Sequence, residues 1–312
     1  MSDPEVSIVV PTYRGAESLT ELVDRLASTM GERKLTHEVV IVNDASPDNT
    51  WEILRKLSES YPELVAIDLL HNHGQARATI CGLAHARGSF VATMDDDLQH
   101  PPEELPKLID VLESNPALDA VVGTWPRDEG LLRNIGSRVH SMIDRIAYGT
   151  PRGFHHTAYR LMRRPVVDAI VEHGTRTPVM SPLLRQVTSQ IANVPVAHHG
   201  RAHGDSNFRF GHGFVTVFTN LFQASTLPLR ILSRFGLAAA ALATALGLVL
   251  VGRWVAGANP PPGWLSSFTA VVFFGGASLF GLGLLGEYVH LIMREVRQPP
   301  RWSIRSMIGS GR

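Results

Sequence analysis

Three consecutive carboxylates, Asp95-Asp96-Asp97, with Gln99 two residues on, form the sharpest chemical feature of this sequence. Adjacent carboxylates repel one another unless solvated or neutralised by a cation. In extended backbone, residues two apart point to the same side, so Asp95 and Asp97 can converge and Gln99 can add a neutral oxygen. Mg²⁺ takes one or two carboxylates and completes its shell with water and substrate phosphate oxygens. The pattern suits a nucleotide diphosphate carried on Mg²⁺ or Mn²⁺, and its plainer reading is a solvated acidic turn.

Other residues of the same kind lie nearby. Asp44, in Val42-Asn43-Asp44-Ala45-Ser46, can accept hydrogen bonds from a base N–H or ribose hydroxyls, or close an Asx-turn. Pro11-Thr12-Tyr13 ends an apolar run and can shape a base pocket. Arginines crowd the middle of the chain, among them Arg127, Arg133, Arg160 and Arg201. Guanidinium forks grip phosphate oxygens in pairs, although any single surface Arg is more simply solvated. The 14 histidines do not make a zinc site: His199 and His203 have helical spacing, but Gly200 and Gly204 argue for a loop. No Gly-x-Ser-x-Gly elbow points to a hydrolase, and no Gly-x-Gly-x-x-Gly follows the first apolar run, which argues against a dinucleotide dehydrogenase.

The elements that position these residues alternate. Apolar, β-branched runs at 6–10, 39–42, 64–70, 90–94 and 120–122 read as strands. Segments 17–29, 48–60 and 75–86 carry helical spacing between them, and Pro101-Pro102-Glu103-Glu104 opens a fourth helix. Asp44 and Asp95 both follow strands. The expectation is an α/β fold with a Rossmann-like, mostly parallel sheet covered on both faces and ligands at its carboxyl edge.

Charge is distributed unevenly. Lys+Arg and Asp+Glu are 29 each, so no net charge argues for a nucleic-acid partner. Between Phe235 and Gly286 the only charged side chain is Arg253. A bilayer core of about 30 Å needs about 20 helical residues. Segment 264–286 meets that length, and 235–251 meets it if Arg253 snorkels toward an interfacial Trp254. Segment 214–229 reads equally as an interfacial amphipathic helix or a core helix. Arg230 and Arg234 before the spans, and five arginines after them, place both termini on the cytoplasmic side of an inner membrane. A single cysteine, Cys81, excludes an internal disulfide. No basic-then-apolar leader opens the sequence, so a cleaved signal peptide is not expected. The expected organisation is a cytoplasmic catalytic domain over 1–210, an interfacial region over 211–234, a transmembrane hairpin over 235–290 and a basic tail over 291–312.

Taken with Asn72-His-Gly-Gln75, Met94-Asp-Asp-Asp-Leu-Gln-His-Pro-Pro-Glu-Glu104, Tyr159-Arg-Leu161, Arg201-Ala-His-Gly-Asp-Ser-Asn-Phe208 and Gly283-Leu-Leu-Gly-Glu-Tyr288, the chain resembles the polyprenyl-phosphate glycosyltransferases of glycosyltransferase family 2. The resemblance implies a GT-A fold and inverting transfer from a nucleotide-sugar, UDP-linked or alternatively GDP-mannose, to a polyprenyl phosphate, by a membrane-bound homo-oligomer. It implies donor contacts at Pro11, Thr12, Tyr13, Asp44, Gln75, Asp95 and Asp96, and metal ligands at Asp95, Asp97 and Gln99. It assigns Asp97, Arg127, Arg160 and Arg201 to the reacting anions. The chain departs from the pattern at Arg14-Gly15, where Asn-Glu is usual, at Ala45, where Gly is usual, and at Ala158, where several relatives carry an acid. Gln298-Pro-Pro-Arg-Trp302 has the letters of a processive-synthase motif but follows the last span, and two spans cannot form a channel. A non-catalytic subunit with a degenerate nucleotide fold is the remaining rival, and the intact run from Asp95 to Glu104 argues against it.

Overall fold

The computed structural model describes residues 3–125, 155, 157–173, 175, 178–198 and 301–309, with scattered positions between 252 and 293. Arg127, Arg133 and Arg201, the segment 201–251 and most of 257–266 lie outside the described residues.

Strands β1 (Val6–Thr12), β2 (His37–Asn43), β3 (Leu64–Leu69) and β4 (Phe90–Thr93) coincide with the first four apolar runs. Helices α1 (Leu19–Arg33), α2 (Thr50–Ser60), α3 (Gln75–His85) and α4 (Leu105–Ser114) follow them. Beyond β5 (Ala120–Thr124) come β6 (Arg160–Arg163), α5 (Arg164–His173), α6 (Met180–Val187), β7 (Ile191–Pro195) and β8 (Ile304–Ile308). The eight strands form one sheet in the order β7-β5-β6-β4-β1-β2-β3-β8.

The β4-β1-β2-β3 half is wholly parallel. Around β6 the sheet becomes mixed: β6 runs antiparallel to both β4 and β5, while β7 is parallel to β5. The chain leaves β1 toward β2 and β3, then returns to β4 on the other side. The strand order therefore reverses between β1 and β4, which is where a crevice opens in such sheets.

Period-2 alternation divides the core. Ile8 and Val10 of β1 join α1, α2 and α4 on one face, while Val9 joins α3, α5 and α6 on the other. Gly82 lets α3 lie close on β1, because a β-carbon there would run into the Val9 side chain. Cys81, beside it, is buried and its thiol is pushed up to about 12 by burial, so it offers no thiolate.

Two compact units are present. One comprises 1–137, 150–207 and 298–312, so the segment read as a basic tail contributes a strand, β8, to the sheet. The other comprises 138–149 and 208–297. In it, every described residue between 267 and 293 is helical, and Val271, Phe274, Leu282, Leu285, Val289 and Ile292 are exposed. Among the described residues no helix is long and apolar enough to cross a membrane.

Candidate active site

The carboxyl ends of β1, β2 and β4 meet at the crevice. Each end turns through a residue that is not glycine yet has positive φ: Arg14 (61°), Ala45 (55°) and Leu98 (58°). Left-handed backbone costs such residues roughly 1–2 kcal/mol each. It persists where surrounding packing over-determines it, and it clusters at functional edges. Leu98 is held by burial of its side chain, and its turn sets Asp97 and Gln99 on a reversed path, with the Gln99 N–H donating to Asp97 Oδ1 at 3.2 Å. Ala45 occupies a conformation for which glycine is the unstrained residue, a physical counterpart to the departure noted at this position.

The three aspartates address three different places. Asp95 Oδ1 accepts from Gln75 Nε2 at 2.6 Å, from the first turn of α3. Asp96 Oδ2 accepts from the Thr12 hydroxyl of β1. Gly15 packs on that pair: a β-carbon there would strike both Thr12 Oγ1 and Asp96 Oδ2. Any residue larger than glycine at this position is therefore incompatible with this local arrangement. Asp97 lies across the turn.

Burial, then the neighbouring Asp97 and Asp96 charges, raise Asp95 to about 6, against the opposing pull of Arg160 and Gln75. That mutual repulsion is the state a cation relieves, and Asp95, Asp97 and Gln99 offer the hard oxygen donors that Mg²⁺ and Mn²⁺ prefer. Among the described residues no three His, Cys, Asp or Glu side chains gather to hold an ion by themselves. Ions of this type complete their shells with water and phosphate oxygens, so the donor set fits an ion delivered with a diphosphate.

Asp44 is buried, and its two carboxylate oxygens accept from the backbone N–H groups of His73 and Gly74, each at 2.7 Å. Asn72 Nδ2 donates to its carbonyl at 3.2 Å. Asp44 thus pins the loop that carries Gln75. Tyr13 is about half exposed at the mouth (47%) with the Arg14 guanidinium 5.5 Å from its ring centre.

A cleft of about 260 Å³ lies beside Asp95, lined by Pro11, Gln75, Thr79, Thr93, Arg160 and Ser181 among others. Arg160 comes from β6, where alternation sends Tyr159 and Leu161 into one core face and leaves Arg160 on the other. Only 7% of it is exposed, yet among the described residues its one hydrogen bond is to Ser181 Oγ at 3.1 Å, and it makes no ion pair within 4 Å. Burial pulls its pKa down to about 10 against the attraction of Asp95, so it remains a cation at neutral pH. A buried guanidinium with donors to spare is an anion receptor.

His100 is buried against Tyr159 (ring centroids 5.2 Å apart, stacked) and Trp125 (4.7 Å), and its Nδ1 has no partner among the described residues. Burial, then His198, lower it to about 4, so the ring is neutral. Sequence reasoning missed His100, Thr79 and Ser181. The signal for Ser181 was Pro182 in the first turn of a short helix.

The model of the glycosyl transferase family 2 domain matches residues 7–171, which takes in β1 through most of α5. The chain belongs to glycosyl transferase family 2. Curated relatives within the family extend the likeness over nearly the whole length. An undecaprenyl-phosphate 4-deoxy-4-formamido-L-arabinose transferase of Yersinia pestis (strain Pestoides F) is 33% identical over 314 aligned positions, covering 98% of this chain and 94% of that protein. The protein of the same name from Klebsiella pneumoniae (strain 342) is 31% identical, covering 97% and 94%. Among solved structures, glucosyl-3-phosphoglycerate synthase from Mycobacterium tuberculosis, in complex with Mn²⁺, UDP and phosphoglyceric acid, aligns with a TM-score of 0.52 at 16% identity, over 71% of this chain and 77% of that one. Mannosyl-3-phosphoglycerate synthase from Rubrobacter xylanophilus aligns with a TM-score of 0.51 at 18% identity, over 69% and 72%. These structures share the GT-A fold, which the expected α/β architecture matches with a more mixed sheet.

Proposed function

We propose that this family 2 enzyme transfers a sugar from a nucleoside diphosphate donor, UDP-linked in the first instance, to the phosphate of a polyprenyl lipid at the cytoplasmic face of a membrane. The observation that carries the reading is the cleft that brings a crowded carboxylate, Asp95, beside a buried guanidinium, Arg160, which among the described residues makes no ion pair within 4 Å. The full-length likeness to undecaprenyl-phosphate transferases supports a lipid phosphate as the acceptor.

In the transfer, an oxygen of the acceptor phosphate attacks the anomeric carbon. The bond from that carbon to the donor's diphosphate oxygen breaks, and the nucleoside diphosphate leaves with the electron pair from the opposite face. A phosphate monoester is largely ionised near pH 7, so no strong base is needed, consistent with Ala158 standing where several relatives carry an acid. Asp95, Asp97 and Gln99 would hold a divalent cation, which would supply charge neutralisation for the leaving diphosphate. Arg160 holds anionic oxygens in the cleft. Asp44 fixes the loop on which Gln75 orients Asp95, and Thr12 fixes Asp96. Pro11 and Tyr13 border the donor side, and Arg127 and Arg201 serve the anions. Positioning and fixed charge account for the rate.

The membrane location draws on the uncharged stretch 264–286 and on the exposed apolar side chains among its described helical residues. Exposed contiguous apolar surface is unstable in water and suits lipid. The division into a catalytic domain over 1–210, an interfacial region, a hairpin over 235–290 and a returning tail goes with this reading, as does a homo-oligomer by family resemblance.

The test is a panel of radiolabelled UDP- and GDP-sugars offered to the purified enzyme with undecaprenyl phosphate and Mn²⁺. One labelled, single-sugar lipid product is expected. A polymer, or no lipid product from any donor, overturns the proposal.

A further inference from the structure

Residues 301–309 lie along the β3 edge of the sheet. In β8, Ile308, Met307, Ser306 and Ile304 pair antiparallel with Ala66, Ile67, Asp68 and Leu69 of β3. Trp302 packs against the core face formed by α3 and α5, and Arg301 donates to the Val171 carbonyl of α5. The Arg-Trp of the synthase-like motif therefore serves docking.

From this anchor a chain of hydrogen bonds runs to both donor-side aspartates. Arg305 Nη1 donates to Asp68 Oδ2 at 3.2 Å, and Arg305 Nη2 to the Leu70 carbonyl at 3.1 Å. Asp68 is buried, and its other oxygen accepts from Asn43 Nδ2 at 2.7 Å, at the end of β2 next to Asp44. The Leu70 N–H donates to the Ser303 carbonyl at 2.8 Å, and the Ser303 N–H donates to His73 Nε2 at 3.3 Å. A ring nitrogen that accepts must be unprotonated, and burial keeps the His73 pKa below its usual value. The next backbone N–H groups along, those of His73 and Gly74, are the ones that hold the Asp44 carboxylate, and Gln75 holds Asp95.

We propose that Arg301–Ile308 is a positioning strap of the donor site: Ser303 and Arg305 hold His73 and Asp68, and through them the loop that sets Asp44 and Gln75. The proposal rests on the reading of those two residues as donor-side groups. Its mechanism is geometric. A loop of four exposed or half-exposed residues, 71–74, has little packing of its own, so its hydrogen bonds decide how well it is preorganised.

The experiment uses the full chain in detergent and measures binding of UDP–Mn²⁺ and GDP–Mn²⁺, together with kcat and both KM values. For Arg305→Ala and His73→Phe, binding of whichever nucleotide the wild type takes, and KM for the donor, weaken about tenfold. Their kcat at saturating donor changes less than twofold, and KM for undecaprenyl phosphate is unchanged. Arg305→Lys recovers donor KM to within threefold, and Met307→Ala, on the exposed face of β8, matches the wild type. If Arg305→Ala does not fold, His73→Phe decides, since it removes an acceptor without stranding a buried charge. Both variants binding as the wild type does, or a fall in kcat matched by rises in both KM values, overturns the strap alone. A wild type that binds neither nucleotide overturns the functional reading and the strap with it.

Discussion

Arg160→Met should make the enzyme more stable and nearly inactive, a combination that separates a functional cation from a structural one. Burial lowers Arg160 from 12.5 to about 10. For a base with a depressed folded pKa, the charged form is disfavoured by folding, and the full penalty applies at every pH below about 10. At about 1.4 kcal/mol per unit this is about 3 kcal/mol. Methionine keeps most of the stem and removes the charge. The lost hydrogen bond to Ser181 returns about 1 kcal/mol of that gain. A net stabilisation on the order of 1–2 kcal/mol follows. Loss of a preorganised anion-binding group costs about 10²–10³ in rate. Arg160→Lys should fall between, keeping the charge without the fork. The assays are denaturant unfolding of the purified protein and the rate of lipid-linked sugar formation. A methionine variant that is less stable and turns over within threefold of wild type would refute the assignment.

Other outcomes follow from the same geometry. In metal-free protein, His100 near 4 means the unfolded chain takes up its proton first, so stability falls as pH drops from about 6.5 to 4, by about 3 kcal/mol. Asp95 near 6 acts oppositely over about pH 4–6, worth on the order of 1–2 kcal/mol after allowing for its partial exposure. His100→Phe should therefore convert a shallow acid loss into an acid gain in EDTA-treated unfolding curves, and an unchanged slope would count against a neutral buried ring. Ala45→Gly removes left-handed strain and should stabilise by up to about 1 kcal/mol with unchanged turnover, measured by the same unfolding curves. Gly15→Ala should weaken donor binding at least tenfold by displacing Asp96 from Thr12, read as donor KM.

The first four strands and helices were legible because each is long, apolar and period-correct: β1 alternates between two core faces, and α1 buries Leu19, Leu22, Val23 and Leu26 on one stripe. β5 was read as well, at 120–122, but the elements beyond it were not. β6 carries Arg160 and Arg163 within four residues, and β8 alternates around Arg305, so neither resembles a buried strand; pairing with β4, β5 and β3 makes them strands. The acidic run stood out in the sequence, but its division among Gln75, Thr12 and the Leu98 turn depends on partners up to 84 positions away. The sequence offers Asp44 as a donor-side carboxylate or an Asx-turn, whereas its grip on the 73–74 backbone is a tertiary fact. Arg160 stood among many arginines, and only burial distinguishes it.

The most direct measurement compares wild type with Asp97→Ala for Mn²⁺-dependent formation of a single-sugar undecaprenyl-phosphate product, with circular dichroism confirming equal folding. Wild type is expected to form the product only with the cation, and the variant to form less than about 1% of it, an effect within the range for removing a group that neutralises transition-state charge. A folded variant with full turnover would contradict the account.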